Sequence, residues 1–142
     1  MSQLNFRRRA VAAGLAVVVA ALASGCASVG GGSAAAEKVV LERAQARWNA
    51  LVERDWNTAY PYLTPAYRAV VPLKRYGNQF TGPVQWEAAK ATGATCEEKR
   101  CTVKVEITFR TLLPGHMDRL SSTFVDEVWV LEDGQWYKFE SV

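Results

Sequence analysis

Few residues in this chain have side chains suited to catalysis or metal binding, and their spacing excludes the common arrangements. The single histidine, His116, lies in Leu112-Leu113-Pro114-Gly115-His116-Met117-Asp118, a turn-rich stretch. No Gly-x-Ser-x-Gly elbow presents a nucleophile to it, so His116 reads as an exposed loop residue. The three cysteines are Cys26, Cys96 and Cys101. A zinc site takes three or four nitrogen or sulfur ligands, and two nearby cysteines with one histidine do not make a convincing set. No metal is expected. No P-loop is present, and the Gly30-Gly31-Gly32 run follows no strand, so no dinucleotide or nucleotide cofactor is expected. One carboxylate stands apart: Asp126 falls within an alternating apolar pattern, where burial would raise its pKa and let it act as a base.

Charge narrows the function classes further. The formal net charge is +3. Arg7, Arg8 and Arg9 supply that excess, and without them 14 basic residues face 14 acidic ones. A neutral remainder argues against a phosphate-binding surface and so against nucleic acid as a partner. Hydrophobic residues make up 49% and charged residues 22%, a globular mix, and 142 residues suit one domain.

The first 25 residues read as an export signal. Three arginines precede an apolar run from Ala10 to Ala23, which at 14 residues is short of the about 20 that span a bilayer. The run ends in Leu22-Ala23-Ser24-Gly25-Cys26. This ending resembles the bacterial lipobox, with Ala23 where leucine is commonest. The resemblance implies cleavage before Cys26 and a lipid on its thiol, hence a chain held at a membrane through its acyl groups. Two or three acyl chains anchor firmly where one does so only marginally. In many Gram-negative lipoproteins an Asp after the cysteine means inner-membrane retention, so Ala27 implies the outer membrane, with the domain facing the periplasm. Residues 26–36, rich in Gly, Ser and Ala, suit a flexible tether.

The domain is expected over 37–142. Val40, Leu41, Ala44, Trp48, Leu51 and Val52 recur at i, i+3/i+4, one face of a helix. Mixed charges, Arg47 among them, read as its solvated side. A short helical stretch follows from Asp55 to Leu63, broken by Pro61. Thr64-Pro65 then reads as an N-cap with proline at the first helical position of a brief helix to Val71. Tyr60, Tyr62 and Tyr67 are near enough in sequence to form an aromatic cluster with Trp48 and Trp56. A loop containing Gly77, Gly82 and Pro83 comes next.

The period then changes to two. Thr102 to Arg110 alternates strictly, with Val103, Val105, Ile107 and Phe109 on one side. Val84 to Thr95 is its expected partner. Ser122–Glu132 and Gln135–Val142 form a second hairpin around Asp133-Gly134. Pairing Glu132 with Gln135 puts Phe124, Val128, Val130, Tyr137 and Phe139 on one face, taken as the core side, and Asp126 with them. Leu131, Trp129, Trp136 and Glu127 fall on the other.

Helices followed by an antiparallel meander of about four strands make an α+β domain. Trp48-Asn49-Ala50-Leu51, Asp55-Trp56, Ala59-Tyr60, Tyr62-Leu63-Thr64-Pro65-Ala66-Tyr67-Arg68 and the late Trp129–Tyr137 segment are similar to small bacterial lipoproteins of the nuclear transport factor two-like (cystatin-like cone) superfamily. The resemblance covers about residues 38–140 and implies helices cradled by a curved sheet with a pocket in the cone. Asp126, Trp48 and Tyr60 are the candidate pocket residues. That superfamily includes enzymes and binding modules, so the fold leaves function open. The expectation is a non-enzymatic envelope domain that binds a protein partner or a small apolar ligand. The alternative is a cone-fold isomerase or dehydratase using Asp126. For Cys96 and Cys101, an oxidising periplasm, the loss of Cys26 to lipid and a four-residue span suited to a hairpin turn together point to a disulfide.

Overall fold

The computed structural model describes residues 29–112 and 119–142; the export segment, Cys26 and His116 lie outside the described residues. Among the described residues four α-helices precede a four-stranded antiparallel sheet in the order β1-β2-β3-β4, and the sheet curls around the first helix as a half-barrel. The helices are α1 (Val29–Val52), α2 (Trp56–Ala59), α3 (Pro65–Val70) and α4 (Leu73–Asn78). The strands are β1 (Val84–Glu97), β2 (Arg100–Thr111), β3 (Leu120–Glu132) and β4 (Gln135–Lys138). Among the described residues no helix is long and apolar enough to cross a membrane.

Helix α1 begins at Val29, inside the stretch 26–36 that composition assigns to a flexible tether. Ala34-Ala35-Ala36 is a run of the best helix former. Ser33 is also held: its Oγ donates to Glu37 Oε1 one turn on (3.0 Å) and to the Cys96 carbonyl (3.3 Å). At the other end, Asp55 N donates to the Ala50 carbonyl (2.8 Å) and Arg54 N to the Leu51 carbonyl (3.1 Å), the paired bonds of a Schellman stop. The residue that turns the chain there is Arg54, at φ 58, where glycine is the usual occupant.

The short helices follow their caps. Asp55 accepts from Thr58 N (3.1 Å) and Thr64 from Tyr67 N (3.3 Å), as their residue types predict. Between them Pro61 sits in a 3-10 turn, Tyr60–Tyr62. Helix α4 occupies what reads as loop in the sequence. It starts behind Pro72 and brings Gly77 against Trp56, where an added Cβ would lie 3.0 Å from the indole Cδ1.

In the sheet, Val103, Val105 and Ile107 point inward as expected, against α1. Small residues of β1 (Ala89, Ala91, Ala94) let that helix approach, and register shifts between Trp86 and Ala88 and between Ala91 and Gly93 bend the strand around it. The β3–β4 hairpin has the expected register, Glu132 opposite Gln135, turning on Asp133 (φ 49) and Gly134 (φ 78). Its inward face is the reverse of the expected one. Glu127, Trp129 and Trp136 are buried, while Phe124 and Asp126 are exposed. The cause is the pairing with β2: Cys101 faces Trp129, Val103 faces Glu127 and Val105 faces Val125. Cross-strand neighbours share a face, so the buried side of β2 dictates that of β3.

Candidate functional site

The inverted face of β3 changes which carboxylate matters. Asp126 stands on the outside of the sheet and accepts from Lys104 Nζ (2.8 Å), each side chain more than half exposed. Its expected place on the apolar face lining the cone is therefore corrected; it borders an open depression on the outer face with Thr92, Gly93, Thr102 and Lys104. Glu127, one residue on, is 6% exposed and points into the half-barrel.

Glu127 meets Arg47 there. Arg47 lies at the centre of the buried stripe Val40, Ala44, Arg47, Leu51 on α1 and is 3% exposed, not on the solvated side where its charge suggests. Its Nη1 donates to Glu127 Oε1 (2.7 Å) and its Nη2 to the Tyr76 hydroxyl (3.2 Å). Trp129 Nε1 donates to the other carboxylate oxygen (3.2 Å). Helix α1, helix α4 and strand β3 are thus joined by one buried polar cluster. Arg47 Nε and Trp48 Nε1 are buried with no acceptor among the described residues.

Burial and the neighbouring charges act on Arg47 and Tyr76. Burial penalises the Arg47 cation, and Glu127, Tyr76 and Glu140 outweigh that penalty, so its pKa is raised. Burial pushes the Tyr76 phenol above its usual value, an effect the neighbouring guanidinium partly offsets.

The other two candidate pocket residues serve the core. Trp48 is buried, with its ring edge-on to Trp86 at 5.2 Å. Tyr60 Oη donates toward the Val71 (2.7 Å) and Arg68 (3.0 Å) carbonyls, and its ring tilts against Tyr76. The expected aromatic cluster exists in a different composition. Trp86, Phe80 and Tyr76 link Trp48 to Trp56 and Tyr60 at centroid distances of 5.0–5.6 Å, and Tyr62 instead meets Trp129.

A pocket of about 130 Å³ opens at the end of this aromatic row. Leu51, Val52, Trp56, Phe80, Val84 and Trp86 give it apolar walls, and Arg54 and Gln79 stand among them. No carboxylate pairs with Arg54 among the described residues. The sequence carried one sign of this site: an arginine where α1 stops, at a position that favours glycine. Phe80 lies in what reads as loop, and Trp86 in a strand whose inward side the sequence leaves open.

Cys96 and Cys101 face each other at the end of the first hairpin, with Cα atoms 4.0 Å apart and their sulfurs at bonding distance. Glu97 pairs with Arg100, so the turn itself is Glu98-Lys99. Among the described residues no three histidine, cysteine or acidic side chains gather as a metal site.

No family model matches this chain, and no curated protein matches it significantly. Among solved structures it is similar to a SEC-C motif containing protein from Rhodopseudomonas palustris, at 20% identity and a TM-score of 0.55 over 75% of this chain and 77% of that one. An LEH-like epoxide hydrolase from M. tuberculosis aligns at 17% identity and a TM-score of 0.47, over 73% and 84% of the respective chains. At these identities the first likeness speaks for a shared cone-like α+β fold and for nothing finer.

Proposed function

We propose that this chain is a lipid-anchored envelope domain that works by binding, with no catalytic step, and that its partner inserts one apolar side chain into the pocket beside Arg54. The pocket's size carries this reading. A volume of about 130 Å³ is close to that of a cavity that takes a benzene-sized group, and well under the roughly 300–1,000 Å³ of small-molecule sites. One aromatic or branched side chain fits, as an anchor residue does in a protein interface. Arg54 favours a carboxylate next to that anchor. Its left-handed backbone costs an ordinary residue about 1–2 kcal/mol, a strain that a binding role accounts for.

The non-enzymatic part draws support from the outward position of Asp126, paired with Lys104, and from the burial of Glu127 against Arg47 and Trp129. The anchor draws support from the lipobox-like ending at Cys26, and outer-membrane residence from Ala27. Two experiments test these parts separately. Labelled palmitate should enter the full chain and not Cys26→Ser; label in the variant overturns the anchor. A photo-crosslinking residue at Val84, on the pocket rim, should capture a defined protein in intact cells, and Arg54→Glu should abolish that product. Capture that survives Arg54→Glu overturns the pocket reading.

A further inference from the structure

We infer that two copies of this chain pair edge to edge along β3, joining their sheets into one. The two edges of the sheet are treated differently. On β1, side chains of α1 occupy the edge: Gln45 Nε2 donates to the Ala89 carbonyl (3.0 Å) and Gln45 Oε1 accepts from Ala91 N (2.9 Å). Further along, Ser33 Oγ donates to the Cys96 carbonyl and Glu37 Oε1 accepts from Cys96 N (3.4 Å). Between Ala89 and Cys96 that edge is blocked to another strand.

The opposite edge is covered for only part of its length. Strand β4 pairs with Trp129–Glu132, and Phe139 N extends the cover by donating to the Val128 carbonyl (2.8 Å). Leu120, Ser122, Phe124 and Asp126 share the parity of Val128 and Val130, so their N–H and C=O groups turn away from β2. Among the described residues no segment bonds to them there. An uncovered edge is a template for another strand, and proteins usually blunt it with charge, proline or a bulge. From Leu120 to Phe124 none of these is present, and the β2–β3 register has no shift. Leu120 and Phe124 are 55% and 58% exposed on the outer face.

The edge matches a second copy of itself. Antiparallel pairing about Ser122 sets Ser122 of one copy opposite Ser122 of the other, and sets Leu120 of each opposite Phe124 of the other. Apolar faces apolar and hydroxyl faces hydroxyl, a favourable set of cross-strand pairs. The three residue pairs exchange two backbone hydrogen bonds each. The half-exposed Lys104–Asp126 pair lies outside the paired stretch. Phe139 sits at Val128, four residues or about 13 Å beyond Phe124, clear of the incoming strand. The contact is two-fold and closes on itself, giving a dimer and not a fibre.

Cysteine crosslinking of the full chain in intact cells tests this. The two-fold puts the two residues at position 122 with Cα atoms about 5.5 Å apart, within disulfide range. Ser122→Cys should give a dimer on a non-reducing gel after mild oxidation. Wild type and Thr108→Cys, whose copies would lie about 14 Å apart, should not. Adding Phe124→Lys to Ser122→Cys should weaken the band tenfold or more. Light scattering of the detergent-solubilised wild-type chain should give twice the mass of Phe124→Lys. Equal masses, a Ser122→Cys band no stronger than that of Thr108→Cys, or a crosslinked product containing a different protein would each overturn the pairing.

Discussion

Glu127 and Arg47 fix one another's value. Alone, either is a charge placed where water cannot reach it; together they form a 2.7 Å ion pair that the Tyr76 hydroxyl and the Trp129 indole also hydrogen-bond. Removing one partner of such a pair costs about 3–5 kcal/mol, whereas replacing both with apolar residues is often close to neutral. Glu127→Gln is therefore expected to lower the urea midpoint by an amount equivalent to several kcal/mol. The double variant Arg47→Met/Glu127→Leu should recover most of it. Additive losses in the double variant would mean the two residues are not coupled. Arg54 is a residue-scale case of the opposite sign. Glycine removes the left-handed strain at φ 58 but adds chain entropy, so Arg54→Gly should stabilise the fold by up to about 1 kcal/mol while weakening capture of a partner at the pocket. A destabilised Arg54→Gly protein would show that the arginine is retained for folding.

Elements are joined in this domain by close approach and by covalent pinning. Helix α4 reaches α2 because Gly77 has no side chain to hold Trp56 away, and Trp56 in turn stacks on Phe80 at 5.0 Å to form one wall of the pocket. Gly77→Ala should displace the indole, lose about 1–3 kcal/mol by overpacking and change the intrinsic tryptophan fluorescence. An unchanged spectrum and melting curve would remove Gly77 from the account. At the far end of the sheet, Cys96 and Cys101 close a ring of six residues, and loop-closure entropy gives about 2 kcal/mol for a ring that small. Cys96 also anchors the start of α1 through its backbone N–H and C=O. Cys96→Ser/Cys101→Ser should lose about that amount and raise hydrogen exchange selectively at Ser33–Glu37. Titration of denatured, unreduced protein should find neither of these thiols free.

Over the whole molecule, stability depends on pH at both extremes through groups with perturbed pKa values. Burial raises Tyr76, so its contribution is complete below the ordinary tyrosine value of about 10 and is lost as pH climbs through the raised one. Melting temperature should fall on that alkaline limb, and Tyr76→Phe should flatten it. Asp55 is lowered by its bonds to the Thr58 hydroxyl and N–H and to the Asn57 N–H, so its capping is present above the ordinary carboxylate range and lost as pH drops through the lowered value. Because Asp55 is only half-buried and caps a helix of four residues, Asp55→Asn should change the acid limb only slightly. A steep acid transition abolished by Asp55→Asn would contradict that.

The sequence by itself determined whatever is local. The 3.6-residue stripe placed α1 over most of its length, Thr64-Pro65 set the start of α3, strict alternation located β2 and its buried side, and Asp133-Gly134 set the last turn with its register. Cys96 and Cys101, separated by four residues, were matched as partners. The sequence could not determine which side of β3 faces inward. Both faces carry apolar residues, and the turn fixes only how β3 meets β4. The inward side depends on the register against β2 across the connection from residue 112 to 119, which no local signal specifies. That one choice exchanged Asp126 for Glu127. It also concealed Arg47, because a charged residue in an apolar stripe reads as an interruption until its opposite charge is placed 80 residues away. The pocket was hidden for the same reason. Its walls come from the end of α1, from α2, from the end of α4 and from β1, and only the curl of the sheet brings them together.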